Sequence, residues 1–142
     1  MIEIPQEIMD QIYRHGEAAY PEEATGFLLG TDGEPRRVTA ILCLPNMREE
    51  AARRNRYLIT PEDYLKGESG ADRLGLTLLS IFHSHPDHPN RPSEYDREWA
   101  QPFFLYLITS VNSGQAVESR AWKLAEDRSV FVEEPIQRWS EL

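Results

Sequence analysis

Residues 76–96 read LTLLSIFHSHPDHPNRPSEYD, and the change of pattern inside this stretch decides the fold. Leu76 to Phe82 is a continuous apolar run of strand length, which predicts a central strand buried on both faces. It runs directly into His83-Ser84-His85-Pro86, where Pro86 has no N–H to give a ladder and stops the strand. Asp87 to Pro92 reads as a loop. Ser93 has N-cap chemistry, and the pattern predicts a helix from there to about Gln101. Phe103 to Thr109 (FFLYLIT) is a second continuous apolar strand.

Working outward, Pro5 to about Ala19 reads as a helix. Pro5 suits its first turn, Ile8, Met9, Ile12 and Tyr13 form one apolar stripe, and Pro21 ends it. Thr25 to Gly30 (TGFLLG) and Arg36 to Leu44 (RRVTAILCL) flank turn residues and predict a hairpin. Pro45 to Arg56 is a charged loop carrying Arg48, Arg53, Arg54 and Arg56, read as a solvated face. Tyr57 to Thr60 is a brief extended segment. A helix follows with Thr60 as N-cap and Pro61 at its first position, interrupted by Gly67 to Gly70. Gln115 to Leu124 and Ser129 to Glu133 predict a closing antiparallel pair. Helices interleaved with strands around one mixed sheet define an α/β (α+β) class.

The length, 142 residues, fits a single domain over 1–142 and allows roughly two-thirds of the unfolded surface to be buried. No apolar run approaches the roughly 20 residues that span a bilayer. The acidic N-terminus (MIEIPQEIMD) lacks the basic and apolar regions of a secretory signal, so the expected address is cytoplasmic. A net charge of −9 argues against nucleic-acid and anionic-membrane partners, which both need a positive field. The one cysteine, Cys43, rules out an internal disulfide and a cysteine-rich zinc site. The tryptophans Trp99, Trp122 and Trp139 read as packing aromatics.

Three short motifs carry candidate chemistry. In a strand, residues two apart project to one face, so His83 and His85 point together from a strand end, a donor pair that suits zinc. Two ordinary surface histidines fit the pattern equally. Ser93 and Asp96 are spaced as a capping box, with Ser93 capping and Asp96 answering from the third position. The same first turn can aim both at a common point, making Asp96 a third, anionic metal ligand and Ser93 a hydroxyl donor to an oxyanion. Glu23, just before a buried strand, reads either as a solvated carboxylate or as the base that a hydrolytic zinc site with three protein ligands requires. Asp87 and His88 read as solvated loop residues.

Taken together, HSHPDHPNRPSEYD resembles the JAMM motif, H-x-H followed by seven residues and S-x-x-D. The upstream EATG resembles the glutamate-x-x-glycine that opens the same signature. The chain is thereby similar to the JAMM, or MPN-plus, zinc metalloproteases in their small prokaryotic form. The order YLITPEDYLK, strand, HSHP, PSEYD, FLYLITS extends the resemblance over most of the chain. It implies an MPN fold, a curved mixed sheet flanked by helices. It also implies zinc ligands at His83, His85 and Asp96, a general acid/base at Glu23 and an oxyanion donor at Ser93. Thr25 stands where many relatives carry cysteine. The implied reaction is hydrolysis of a peptide or isopeptide bond at the C-terminus of a ubiquitin-like protein. With no room for the insertions of eukaryotic deubiquitinating members, the implied partner is a sulfur-carrier-type protein with a Gly-Gly-type end. The alternative from another class is a catalytically silent MPN scaffold acting as a protein-interaction module.

Overall fold

The computed structural model describes residues 1–139. The elements run β1 (Ile2–Pro5), α1 (Gln6–Ala19), β2 (Thr25–Thr31), β3 (Arg36–Leu44), α2 (Pro61–Leu74), β4 (Thr77–Pro86), α3 (Glu94–Trp99), β5 (Leu105–Asn112), β6 (Gln115–Leu124), β7 (Phe131–Glu134) and β8 (Ile136–Trp139). A short 3-10 turn, Glu50–Ala52, lies in the charged loop between β3 and α2. The eight strands form one mixed sheet in the order β7-β6-β5-β4-β2-β3-β1-β8. The predicted hairpin is the antiparallel pair β2–β3, and β4 lies against β2 antiparallel and β5 parallel.

Both faces of the sheet are covered, which is why β2, β4 and β5 read as unbroken apolar runs. On one face Ile8, Met9 and Ile12 of α1 pack on Leu28, Phe82, Leu105 and Leu107. On the other, Ala71 of α2 packs with Phe27, Leu29, Ile81 and Tyr106. Alternation then places the two strand-end histidines. His83 and His85 share the face of Ile81, the α2 side, while Ser84 turns to the α1 side, where its Oγ accepts from the Ala24 N–H at 2.8 Å.

Several expectations are corrected. Pro5 does not open the helix; it ends β1, and α1 starts at Gln6. β1 and β8 carry no signal in the sequence pattern, because each is four residues long and both pairings of β1, to β3 and to β8, are parallel and distant in sequence. α2 is not interrupted at Gly67 to Gly70 but continues to Leu74. Gly67 sits there because the helix lies close on the sheet: a Cβ at this position would fall 2.7 Å from the Phe27 ring. Phe103 and Phe104 lie outside β5, their rings in contact at a 60° tilt with centroids 4.5 Å apart. Trp99 is not a packing residue; it is 62% exposed.

Candidate functional site

β4 delivers His83 and His85, 1% and 5% exposed, to the sheet end beside β5. α3 delivers Asp96. Its start is fixed by a complete capping box: Ser93 Oγ accepts from the Asp96 N–H at 3.0 Å, and Asp96 Oδ2 accepts from the Ser93 N–H at 2.9 Å. That box, a purely structural reading of the motif, is therefore present. It also aims the carboxylate, because the same Oδ2 lies 3.1 Å from His85 Nε2 and 3.4 Å from His83 Nε2. The two Nε2 atoms are 3.2 Å apart. Four donors about 2.0–2.1 Å from a zinc ion define a tetrahedron with edges of about 3.3–3.4 Å. The three protein atoms thus already form one face of such a tetrahedron, and the cluster fits a zinc site.

The surroundings fix the ligating tautomer of His85 and the charges of His83 and Asp96, while His83 Nδ1 is buried without a hydrogen-bond partner among the described residues. His85 Nδ1 lies 2.8 Å from the Pro89 carbonyl oxygen, which can only accept, so Nδ1 carries the proton and Nε2 presents its lone pair. Burial pushes the His83 imidazolium below its ordinary range, with Asp96 opposing, so the ring is held neutral. Burial alone would raise the Asp96 carboxyl, but the imidazoles of His83 and then His85 beside it hold it well below the usual carboxylate range. The ring of Tyr57 stacks on His83, centroids 4.5 Å apart and 26° from parallel, and walls that side of the cluster.

Glu23 is 2% exposed, not a solvated loop carboxylate, and its Oε1 is buried without a hydrogen-bond partner among the described residues. Burial, and then the negative charge of Asp96, push its carboxyl up to about 9. A cation held by the triad would act in the opposite sense and favour the carboxylate. The backbone of Glu23 is clamped by the charged loop: its N–H donates to the Arg53 carbonyl at 2.7 Å, and Asn46 Nδ2 donates to its carbonyl at 3.0 Å. Asn46 holds that loop together, since Nδ2 also donates to the Arg56 carbonyl and Oδ1 accepts from the N–H groups of Arg48 and Leu58. Gly26 completes the setting. A Cβ there would fall 2.5 Å from both the Leu42 carbonyl and the Phe82 ring, so only glycine lets β2 pass this close to its neighbours.

The loop arginines are not all solvated. Arg48 and Arg56 stack over the ring of Tyr95, 5.1 and 4.4 Å from its centroid, and tie the loop that clamps Glu23 to the helix that carries Asp96. Asp87 is exposed, as expected, yet it anchors the turn after the histidines by accepting from Tyr20 Oη at 2.6 Å and the Ser113 N–H at 2.8 Å. Asn46, Tyr57 and the Pro89 carbonyl carry no motif signal. A lone asparagine, a tyrosine after an arginine-rich loop and a backbone oxygen become visible only once the chain is folded.

Two cavities of about 520 Å³ each border the cluster and share no lining residue. One is lined by Glu23, His85 and Ser93 together with Asn55, His88 and Arg91. The other opens beside Asp96 and Tyr57 and is walled by aromatic side chains. A serine hydroxyl, a buried carboxyl and a cluster that fits a metal therefore border the same cavities, a set of groups that a hydrolytic centre would need.

Comparison with known proteins identifies the family of the chain. Residues 5–125 match the model of the prokaryotic homologs of the JAB domain. The chain is 29% identical to the probable TtuB-protein conjugate cleaving protease of Thermus thermophilus, covering 91% of this chain and 80% of that one. It is 32% identical to the desampylase of Haloferax volcanii over 80% of each chain. The solution structure of a protein from Salinibacter ruber superposes with a TM-score of 0.75 at 45% identity, covering 97% of this chain and 91% of that one.

Proposed function

This chain belongs to the family of prokaryotic homologs of the JAB domain, the small prokaryotic form of the JAMM hydrolases, and from that premise we propose that it is a zinc-dependent metallopeptidase. Its substrate in this reading is a ubiquitin-like, sulfur-carrier-type protein, cut at a peptide or isopeptide bond following a Gly-Gly-type C-terminus. The observation that carries the reading is the spacing of His83, His85 and Asp96, 3.1–3.4 Å between donor atoms, with the unpartnered Glu23 carboxyl in the cavity beside them. The names of the relatives, one a protease of protein conjugates and one a desampylase, support the substrate class.

In this mechanism His83, His85 and Asp96 hold the metal. When bound, zinc supplies Lewis acidity, polarising the scissile carbonyl and easing the loss of a proton from water near neutral pH. Glu23 accepts that proton as the water oxygen attacks the carbonyl carbon. The Ser93 hydroxyl spends a lone pair on the helix cap, which leaves its proton free to donate to the developing oxyanion. Glu23 then passes its proton to the leaving nitrogen as the C–N bond breaks, giving a carboxylate and an amine. A catalytically silent scaffold needs neither the donor spacing nor a buried, unpartnered carboxyl, so both features favour the enzyme.

The test is to load the protein with zinc, measure bound metal, and follow carrier proteins with tails extended beyond Gly-Gly by mass spectrometry. One zinc per chain and trimming after the Gly-Gly end are expected, and Asp96→Ala should lose both. Zinc-loaded protein that trims no tail would remove this reading.

A further inference from the structure

The residues that line the site are ionisable or polar on one side and largely aromatic on the other, and this asymmetry carries information about the substrate that its motif does not. Glu23, Ser93 and His85 face the cavity completed by Asn55, His88 and Arg91. Across the donor cluster, Asp96 and Tyr57 face the second cavity, whose walls include Tyr64, Trp99, Phe103 and Tyr106. Trp99 and Phe103, each 62% exposed, stand at its mouth. Solvent-facing aromatics of this size beside a formed cavity mark a recognition surface.

The direction in which a polypeptide crosses this saddle follows from proton delivery. In the hydrolase reading, on which this inference rests, Glu23 must reach the nitrogen that departs. The amine side of the bond therefore lies over the Glu23 cavity. The acyl side, which ends as the new carboxylate, leads away across Asp96 and Tyr57 into the aromatic cavity. We propose that this aromatic cavity is a specificity pocket for the acyl side of the substrate, and that it selects a bulky apolar side chain within the last three residues before the scissile bond. The occupant is set by the lining. Beyond Asp96 at its edge, the walls carry one charged side chain, the exposed Glu68, so an anionic residue would lose its hydration with nothing cationic to replace it, whereas a ring or branched aliphatic chain would bury against Tyr64, Trp99 and Tyr106. Glycines directly at the bond would leave the cavity empty, which places the selected side chain upstream of them.

The test uses zinc-loaded protein and N-acetylated peptides with a Gly-Gly bond to a following alanine, carrying Phe, Leu, Ala or Glu at the third position before the bond. A matched set varies the position after the bond instead, and further sets move the bulky residue to the first and second positions before it. Wild type should prefer Phe or Leu over Ala by about 10-fold to 100-fold in kcat/KM at one acyl-side position, and show no such preference on the amine side. Trp99→Ala and Phe103→Ala should shrink that ratio several-fold; both residues are exposed, so folding is not at stake. Cleavage without an acyl-side preference, a preference that sits on the amine side, or a ratio unmoved by both substitutions overturns the pocket assignment and leaves the hydrolase standing. If no peptide is cut and the carrier tails above are also left intact, the hydrolase reading falls and this inference with it; if the carriers are trimmed, the same peptide residues are scanned within a carrier tail and read by the same ratios.

Discussion

His85 Nδ1 lies 2.8 Å from the carbonyl oxygen of Pro89, so a backbone atom in the loop after the histidines fixes which ring nitrogen faces the cluster. The loop is itself pinned. Asn90, 7% exposed, accepts from Trp122 Nε1 at 3.0 Å through its carbonyl and donates through its side chain to the Glu118 carbonyl at 3.1 Å. β6 thereby reaches the candidate metal ligand through two residues that touch no metal.

Loosening that support should weaken metal binding without dismantling the fold. Asn90→Ala or Trp122→Phe is expected to lower zinc affinity about 10-fold to 100-fold, the range of lost outer-shell partners. Competition against a chelator of known affinity measures it. Unchanged affinity in both variants would show that Pro89 holds His85 without help from β6.

Glu23→Gln separates proton transfer from metal retention. The amide keeps the shape and cannot carry the proton, so zinc content should match wild type while turnover falls about 10²-fold to 10⁴-fold. His83→Ala should lose the metal as well as the activity. Wild-type turnover by zinc-loaded Glu23→Gln would refute the role given to Glu23.

Glu23 also sets a pH dependence in the metal-free protein. Its folded-state affinity for a proton is raised, to about 9 from an ordinary carboxyl value, by burial and then by Asp96. The folded chain therefore keeps a proton that the unfolded chain loses, and the stability this contributes is complete below about pH 4.5 and lost as pH rises toward 9. Metal-free Glu23→Gln should gain on metal-free wild type across that window, by on the order of 2–4 kcal/mol at pH 8. Urea denaturation at pH 5 and pH 8 tests the sign; a difference that does not grow with pH excludes a neutral buried Glu23.

Ser93 serves the helix and, in the proposed mechanism, the oxyanion, and two substitutions distinguish these duties. Ser93→Ala removes cap and hydroxyl, whereas Ser93→Gly retains most of the cap and costs only a few tenths of a kcal/mol in stability. Both should lose about 10²-fold to 10³-fold in kcat. If Ser93→Gly keeps wild-type kcat, the hydroxyl contributes only to the start of α3.

Gly26→Ala is expected to cost about 1–3 kcal/mol, because the added carbon meets the Leu42 carbonyl and the Phe82 ring at 2.5 Å. Thermal unfolding should show the loss with or without metal. A neutral effect would mean β2 can move aside.

How far the molecule is legible beforehand depends on how local each cause is. The hairpin β2–β3, the Thr60 cap, the strand β4 and the Ser93–Asp96 capping box rest on neighbours a few residues apart, and their signals stand in the sequence. The convergence of Asp96 on His83 and His85 follows from the same motif read as a unit. What stays hidden is set by distant contacts. β1 gains its place from β3 and β8, Gly67 from the Phe27 ring, and the burial of Glu23 from the loop clamped by Asn46 and Arg53. Trp99 misleads for the complementary reason: a large aromatic is ordinarily sheltered, and only the folded cavity gives an exposed one a purpose.

Asp96 and Trp99 stand three residues apart on a helix of six, one beside the histidines and the other at the mouth of the aromatic cavity. With under two turns between them, the helix cannot be re-aimed for one without moving the other. A lineage that reshapes this helix to accept a different tail tilts its own carboxylate donor, so drift in diet is policed by the need to hold an ion. New preferences should therefore arise through side-chain swaps elsewhere in the lining, at Tyr64 or Phe103, long before the helix itself is rebuilt.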